Sequence, residues 1–434
     1  MKRVLTATAV LLVIGLIAVY ALNRPDPSAG TAPAIAGAPA SAELVARGRY
    51  LVQAADCAAC HTVPESGRPF AGGVAFKLPF GTIYSSNITP DLQDGIGGYT
   101  DDEFVRAVRE GVRKDGQHLY PAFPYTSYTA LSRADVLAIK AYLMTLPAVS
   151  QPNRSNDLGF PFDQRWAMAF WNAAFFKSHR FAPDDSRSAQ WNSGAYLATA
   201  LGHCGECHTP RNLGFGLEHG RELSGEELQG WRAYNITSDA KHGIGAWSDA
   251  DLLAYLSSGH APLHASAAGP MGEAVAHSLQ FLNPEDSAAL VAYLRTIPPH
   301  RGKHPLEVDA DPRPLAASTA LLPAPEELRA DPAGLRLFEG ACASCHQWNG
   351  PGRESPYASL QGNRSVNDPS GANVTQVILQ GVRYRVGDHE VFMPAFGEAY
   401  SNAEISALAN YVIAHFGGRA ASVTPEDVAK RRLL

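Results

Sequence analysis

The chain opens with its longest apolar run. Val4 to Leu22 is nineteen residues without a charge, preceded by Lys2 and Arg3 and followed by Asn23, Arg24 and a Pro/Ala/Gly-rich stretch to about Ser41. Basic residues ahead of such a run mark an export segment. Its length exceeds the ~7–15 apolar residues of a cleaved signal and approaches the ~20 that span a bilayer. That favours a retained anchor, while an Ala-x-Ala site at Ala36 to Ala38 leaves cleavage open. With Lys2 and Arg3 held inside, everything beyond residue 23 is expected in the periplasm.

Beyond this segment, apolar positions recur at helical spacing. Amphipathic helices are predicted over Asp101 to Glu110 and Ser132 to Leu146, and again over Ser248 to Ser257 and Pro284 to Ile297, with a further one over Asn402 to Phe416. In the first two pairs a hydroxyl or acidic cap precedes the apolar periodicity. A different pattern fills Phe160 to Phe176, where Phe162, Trp166, Phe170, Trp171, Phe175 and Phe176 go nearly all round a helix. Packing between domains explains such a connector, and so does docking onto a partner or a membrane surface.

The chain contains an internal duplication. Asn87, Ile88, Thr89, Asp91, Gly95, Ile96, Gly97 and Gly111 recur 148 residues later as Asn235, Ile236, Thr237, Asp239, Gly243, Ile244, Gly245 and Gly259. Gly48, Tyr50 and Leu51 are matched by Gly194, Tyr196 and Leu197. The Asn-Ile-Thr loops read as structural turns. A third region, from Gly334, Leu337 and Phe338 to the last predicted helix, lacks that loop, and eight prolines between Pro298 and Pro332 read as an extended linker before it.

Composition narrows the function. With 18% charged residues and a net charge of −6, nucleic-acid binding, which needs a basic stripe, is not expected. The 39 Gly and 31 Pro describe a loop-rich globular chain.

All six cysteines lie in three copies of one pattern: Cys57, Cys60, His61; Cys204, Cys207, His208; and Cys342, Cys345, His346. C-x-x-C-H is the attachment signature of c-type haem. Two thiols three residues apart at a helix start reach both vinyl groups of one porphyrin, and the next residue, His, points at the iron. A redox or zinc pair followed by His by accident three times over has a chance on the order of 4 in 100,000. Three covalent haems are expected, with no cysteine left for a disulfide or a nucleophile. Each proximal His should donate its other ring nitrogen to a backbone carbonyl, and Pro64, Pro210 and Pro351 follow closely enough to supply one.

An electron-transfer haem also needs a sixth ligand, commonly a Met thioether. Met393 lies 47 residues after His346 and Met271 lies 63 after His208, and they are assigned to the third and second haems. The repeat offset carries Met271 onto Phe123, which has no atom able to bind iron. Met144 and His118 are the nearby alternatives for the first haem, and a face covered by Phe123 with no strong sixth ligand is the third. Met144 aligns with Arg295, a helix-end position.

Three such motifs, the Asn-Ile-Thr loops, the segment Tyr120, Pro121, Ala122, Phe123, Pro124, Tyr125 and the segment Gly269, Pro270, Met271 resemble the cytochrome c subunits of membrane-bound bacterial dehydrogenases, those for alcohol, gluconate, sorbitol and aldehyde among them. The likeness runs from about residue 42 to 418. It implies a mostly α fold of three cytochrome c-like domains in series: a signal or anchor and linker over 1–41, domain 1 over 42–148, the aromatic connector over 149–185, domain 2 over 186–298, a Pro-rich linker over 299–332, domain 3 over 333–420 and a tail over 421–434. It also implies a catalytic partner subunit with a quinone cofactor, flavin or molybdenum, room for a small third subunit, and ubiquinone or a terminal oxidase as acceptor, all at the periplasmic face of the inner membrane. On this reading the chain is the non-catalytic subunit of an oxidoreductase complex. A free-standing electron carrier, or a peroxidase-like enzyme with an open first haem, is the alternative.

Overall fold

A computed structural model describes residues 15, 40–64, 66–303, 305, 306, 332–353 and 355–434. The predicted anchor and most of the Pro-rich linker lie outside the described residues. Among the described residues no helix is long and apolar enough to cross a membrane.

The chain forms two compact units. One comprises the described residues up to Asp185 with Tyr196–Glu206 and Asn212–Leu217; the other comprises Ser186–Ala195, Cys207–Arg211 and the described residues from Glu218 to Leu434. Both are mainly helical with short antiparallel hairpins.

In the first unit the helix Ala42–Ala54 crosses the helix Arg133–Leu143, which Ser132 caps through its side chain. Gly48 makes the crossing possible: a Cβ there would run into the Ala138 carbonyl and come within 2.9 Å of Tyr142 Cβ. The helix Asp101–Glu110 begins in a Thr100/Glu103 capping box and ends at Gly111 with φ 63°, the left-handed stop that glycine adopts without steric cost. A hairpin, Ala75–Leu78 with Gly81–Tyr84, gains a third strand from Asp157–Leu158.

The aromatic connector becomes the short helix Met168–Phe175 after a 3-10 turn. One side packs inward: Met168 and Ala169 are buried, Trp171 Nε1 donates to the Gly214 carbonyl at 2.7 Å, and Tyr125 donates its hydroxyl to Asn172 at 2.6 Å. Along the same connector Phe160 is 83%, Trp166 51% and Phe170 39% exposed.

The second unit repeats the helix crossing twice. Gly194 meets the Ala289 carbonyl of Pro284–Leu294, with a Cβ placed 2.9 Å from Tyr293 Cβ, and Gly334 meets the Ala407 carbonyl of Asn402–Gly417, with a Cβ 2.7 Å from Tyr411 Cβ. Around the third crossing Phe338, Ile405, Leu408, Ile413 and Val428 form one buried cluster. Val428 belongs to Pro425–Arg432, so the segment expected as a tail is a capped helix docked on this core. The hairpins Glu226–Leu228 with Trp231–Ala233 and Val382–Val386 with His389–Met393 complete the elements that matter for the sites.

Candidate haem sites

The three cysteine motifs are built alike. The first is the helix Cys57–His61, and the second and third end in Gly205–His208 and Ala343–His346. All six cysteines are unbridged. Each histidine turns Nδ1 to a backbone carbonyl: His61 to Ser86 at 2.6 Å, His208 to Tyr234 at 2.6 Å and His346 to Ala358 at 2.7 Å. A carbonyl only accepts, so Nδ1 carries the proton and the Nε2 lone pair remains for a ligand. Burial holds all three imidazoles below their ordinary range against the opposing pull of those carbonyls. The rings are therefore neutral, the form that coordinates iron. Burial, helped by Asp56 and Cys60, pushes the Cys57 thiol up to about 12. At Cys342 burial and the neighbouring Cys345 push the thiol up to about 11. Two thiols and one oriented, neutral imidazole per motif are the donor set that a covalently attached haem c requires.

The carbonyls do not come from Pro64, Pro210 or Pro351, as the sequence spacing suggests. Pro210 uses its carbonyl to accept the Glu218 N–H at 2.7 Å. The chain instead returns to the ring from further on: Ser86 follows the strand Gly81–Tyr84, Tyr234 follows Trp231–Ala233, and Ala358 ends the 3-10 turn Pro356–Ala358. The carbonyls of the histidines themselves accept from the N–H groups of Gly72 at 2.8 Å, Gly225 at 2.7 Å and Gly352 at 3.3 Å.

The Asn-Ile-Thr loops are turns. Asn87 Oδ1 accepts from the Thr89 N–H and hydroxyl, and Nδ2 donates to the Val149 carbonyl at 2.7 Å. Asn235 repeats this with Thr237 and the His300 carbonyl. Each loop thereby fastens the end of its own repeat beside the carbonyl that holds the histidine.

The candidate sixth ligands are more varied. Met271 lies in the first turn of Gly269–His277 and Met393 ends the strand His389–Met393; both are partly buried. Met144 is the C-cap residue of Arg133–Leu143 and 40% exposed, and Arg295 is likewise the C-cap of Pro284–Leu294. His118 sits beside Asn172, its Nδ1 3.2 Å from Nδ2. Phe123 lies edge-on to Tyr128 with centroids 5.5 Å apart, and Tyr128 donates its hydroxyl to the Ala55 carbonyl at 2.8 Å, two residues before Cys57. Ser86, Tyr234, Ala358 and Tyr128 escape a reading of the sequence because nothing local marks a carbonyl or ring that reaches a motif from another element.

Residues 45–147 match the cytochrome c family, and residues 329–412 match the family described as cytochrome c oxidase, cbb3-type, subunit III. The chain is 40% identical to the fructose dehydrogenase cytochrome subunit of Gluconobacter japonicus, covering 99% of this chain and 90% of that one. It is 35% identical to the gluconate 2-dehydrogenase cytochrome c subunit of Pantoea cypripedii, covering 92% of each. The cytochrome c subunit of the quinone alcohol dehydrogenase of Gluconacetobacter polyoxogenes is 34% identical, over 91% of this chain and 85% of its own. With identity at this level along nearly its whole length, the chain belongs to the family of cytochrome c subunits of membrane-bound dehydrogenases.

Proposed function

We propose that this subunit holds three haems c and relays electrons from a dehydrogenase catalytic subunit to ubiquinone or a terminal oxidase at the periplasmic face of the inner membrane. The observation that carries the reading is the threefold recurrence of one arrangement, a cysteine pair with a neutral histidine clamped at Nδ1. When bound, haem c supplies one-electron iron chemistry.

The residues of the chain do the rest. Cys57 and Cys60, Cys204 and Cys207, and Cys342 and Cys345 tether the three groups. Ser86, Tyr234 and Ala358 orient His61, His208 and His346 so that Nε2 is presented to the iron, and the fixed rings keep reorganisation small. Met271 and Met393 supply thioethers to the second and third sites. For the first site we favour Phe123 as a cover, with Met144 and His118 as the competing donors. We take 42–148, 186–298 and 333–420 as the three cytochrome c-like domains, a division supported by one helix crossing in each.

Purification of the native protein tests this. A co-purifying dehydrogenase whose substrate reduces the haems supports the relay, and turnover of peroxide by the isolated chain supports the peroxidase-like alternative. A subunit that purifies alone and accepts electrons from soluble donors supports a free-standing carrier.

A further inference from the structure

Arg364 comes from the third haem region and ends inside the second. It is 5% exposed, and its guanidinium donates from Nη1 to the Asn235 carbonyl at 3.2 Å and from Nη2 to the His242 carbonyl. Its Cζ lies 4.8 Å from the centre of the Tyr234 ring. Tyr234 is the residue whose carbonyl holds His208 at 2.6 Å. The charge of Arg364 thus sits one residue away from the clamp of the second haem.

Among the described residues no carboxylate lies within ion-pair distance of that charge. Asp368, on its own loop, is taken by Arg232 at 2.8 Å and by the Tyr234 hydroxyl at 3.2 Å. Asp239, on the loop Arg364 enters, accepts from the backbone of Lys241 and His242 and lies 3.1 Å from His242 Nδ1. Among the described residues Arg364 forms no ion pair, and its Nε has no hydrogen-bond partner. A buried cation held by carbonyls and an aromatic ring, with no carboxylate hydrogen-bonded to it, is costly, and salt screens it little.

We infer that Arg364 sets the potential of the second haem: its buried positive charge favours the reduced, less positive iron and so raises that midpoint, coupling it to the docking of the third haem region. This role rests on the haem assignment proposed above. Loss of the charge is expected to shift the oxidation equilibrium of that one haem about tenfold toward the ferric form, or about 59 mV for one electron.

The experiment is a spectroelectrochemical titration of the full haem-loaded chain, comparing wild type with R364Q, R364K and D368N. The wave of the second haem is identified by its loss when Cys204 and Cys207 are replaced by Ser. That midpoint should fall in R364Q, stay near wild type in R364K and rise in D368N, with the other two waves unmoved. No shift in R364Q, or the same direction of shift in R364Q and D368N, overturns the inference, because loosened packing does not reverse sign with charge. Should R364Q not fold, the rise in D368N and the constancy of R364K decide the matter. A haem count on the same samples separates failure of this inference from failure of the haem assignment: three haems with an unmoved wave refute only the role of Arg364.

Discussion

Gly48 lies directly against the carbonyl of Ala138, so that a Cβ on Gly48 would collide with that oxygen and stand 2.9 Å from Tyr142 Cβ. Gly194 with Ala289 and Gly334 with Ala407 repeat the relationship. Gly48→Ala, Gly194→Ala and Gly334→Ala should therefore each force two helices apart, at a cost of about 1–3 kcal/mol. Denaturant unfolding of each variant measures the loss. An unchanged midpoint would show that the crossing tolerates a methyl group and that the glycine is not required.

Stability of the second unit should fall on acidification. His264 stacks on Trp247 with ring centroids 4.4 Å apart, its Nδ1 has no hydrogen-bond partner among the described residues, and burial holds its pKa below the ordinary value despite the opposing pull of Asp251. The unfolded chain then binds the proton more tightly, so this contribution is complete above the unfolded value of about 6.5 and is lost as pH falls from there toward the folded value. Melting curves across that window, with His264→Gln as control, check it. A variant whose pH dependence matches wild type would exclude His264 as a source.

The helices are legible in the sequence and the hairpins are not. Asp101–Glu110 and Asn402–Gly417 carry caps and apolar periodicity, which are local, and their bounds lie within one residue of expectation. The strands Gly81–Tyr84 and Trp231–Ala233 are four and three residues long, too short for alternation to register. The same blind spot hides the carbonyls of Ser86 and Tyr234, which those strands deliver to His61 and His208 from 25 and 26 residues away. Arg364 is invisible for a related reason, since its partners Asn235 and His242 lie more than a hundred residues earlier.

The first haem should be the one that differs. Phe123, the position onto which the repeat offset carries Met271, packs on Tyr128 beside the first motif; if it covers the iron as proposed, that haem should have a lower potential than the other two and bind carbon monoxide. Phe123→Met should raise its midpoint and abolish that binding. Optical and spin-resonance titration reads both. Three indistinguishable low-spin haems in the wild type, unchanged on removing Met144, would contradict the role given to Phe123.

Membrane attachment can be divided between two elements. A chain lacking residues 1–23, exported by a cleavable signal and expressed without partners, should keep its haems and be released from the membrane. Retention of that chain would transfer the role to the connector, whose Phe160 and Trp166 are exposed. Replacing Trp166 and Phe170 with Ser in the truncated chain then distinguishes the connector from any remaining contact.

Haem stoichiometry is the most direct test of the three-site assignment, and pyridine haemochrome analysis of the purified full-length chain measures it. Three haems c per chain are predicted, with one lost for each cysteine pair replaced by Ser at Cys57 and Cys60, Cys204 and Cys207, or Cys342 and Cys345. Fewer than three in the wild type would contradict the assignment.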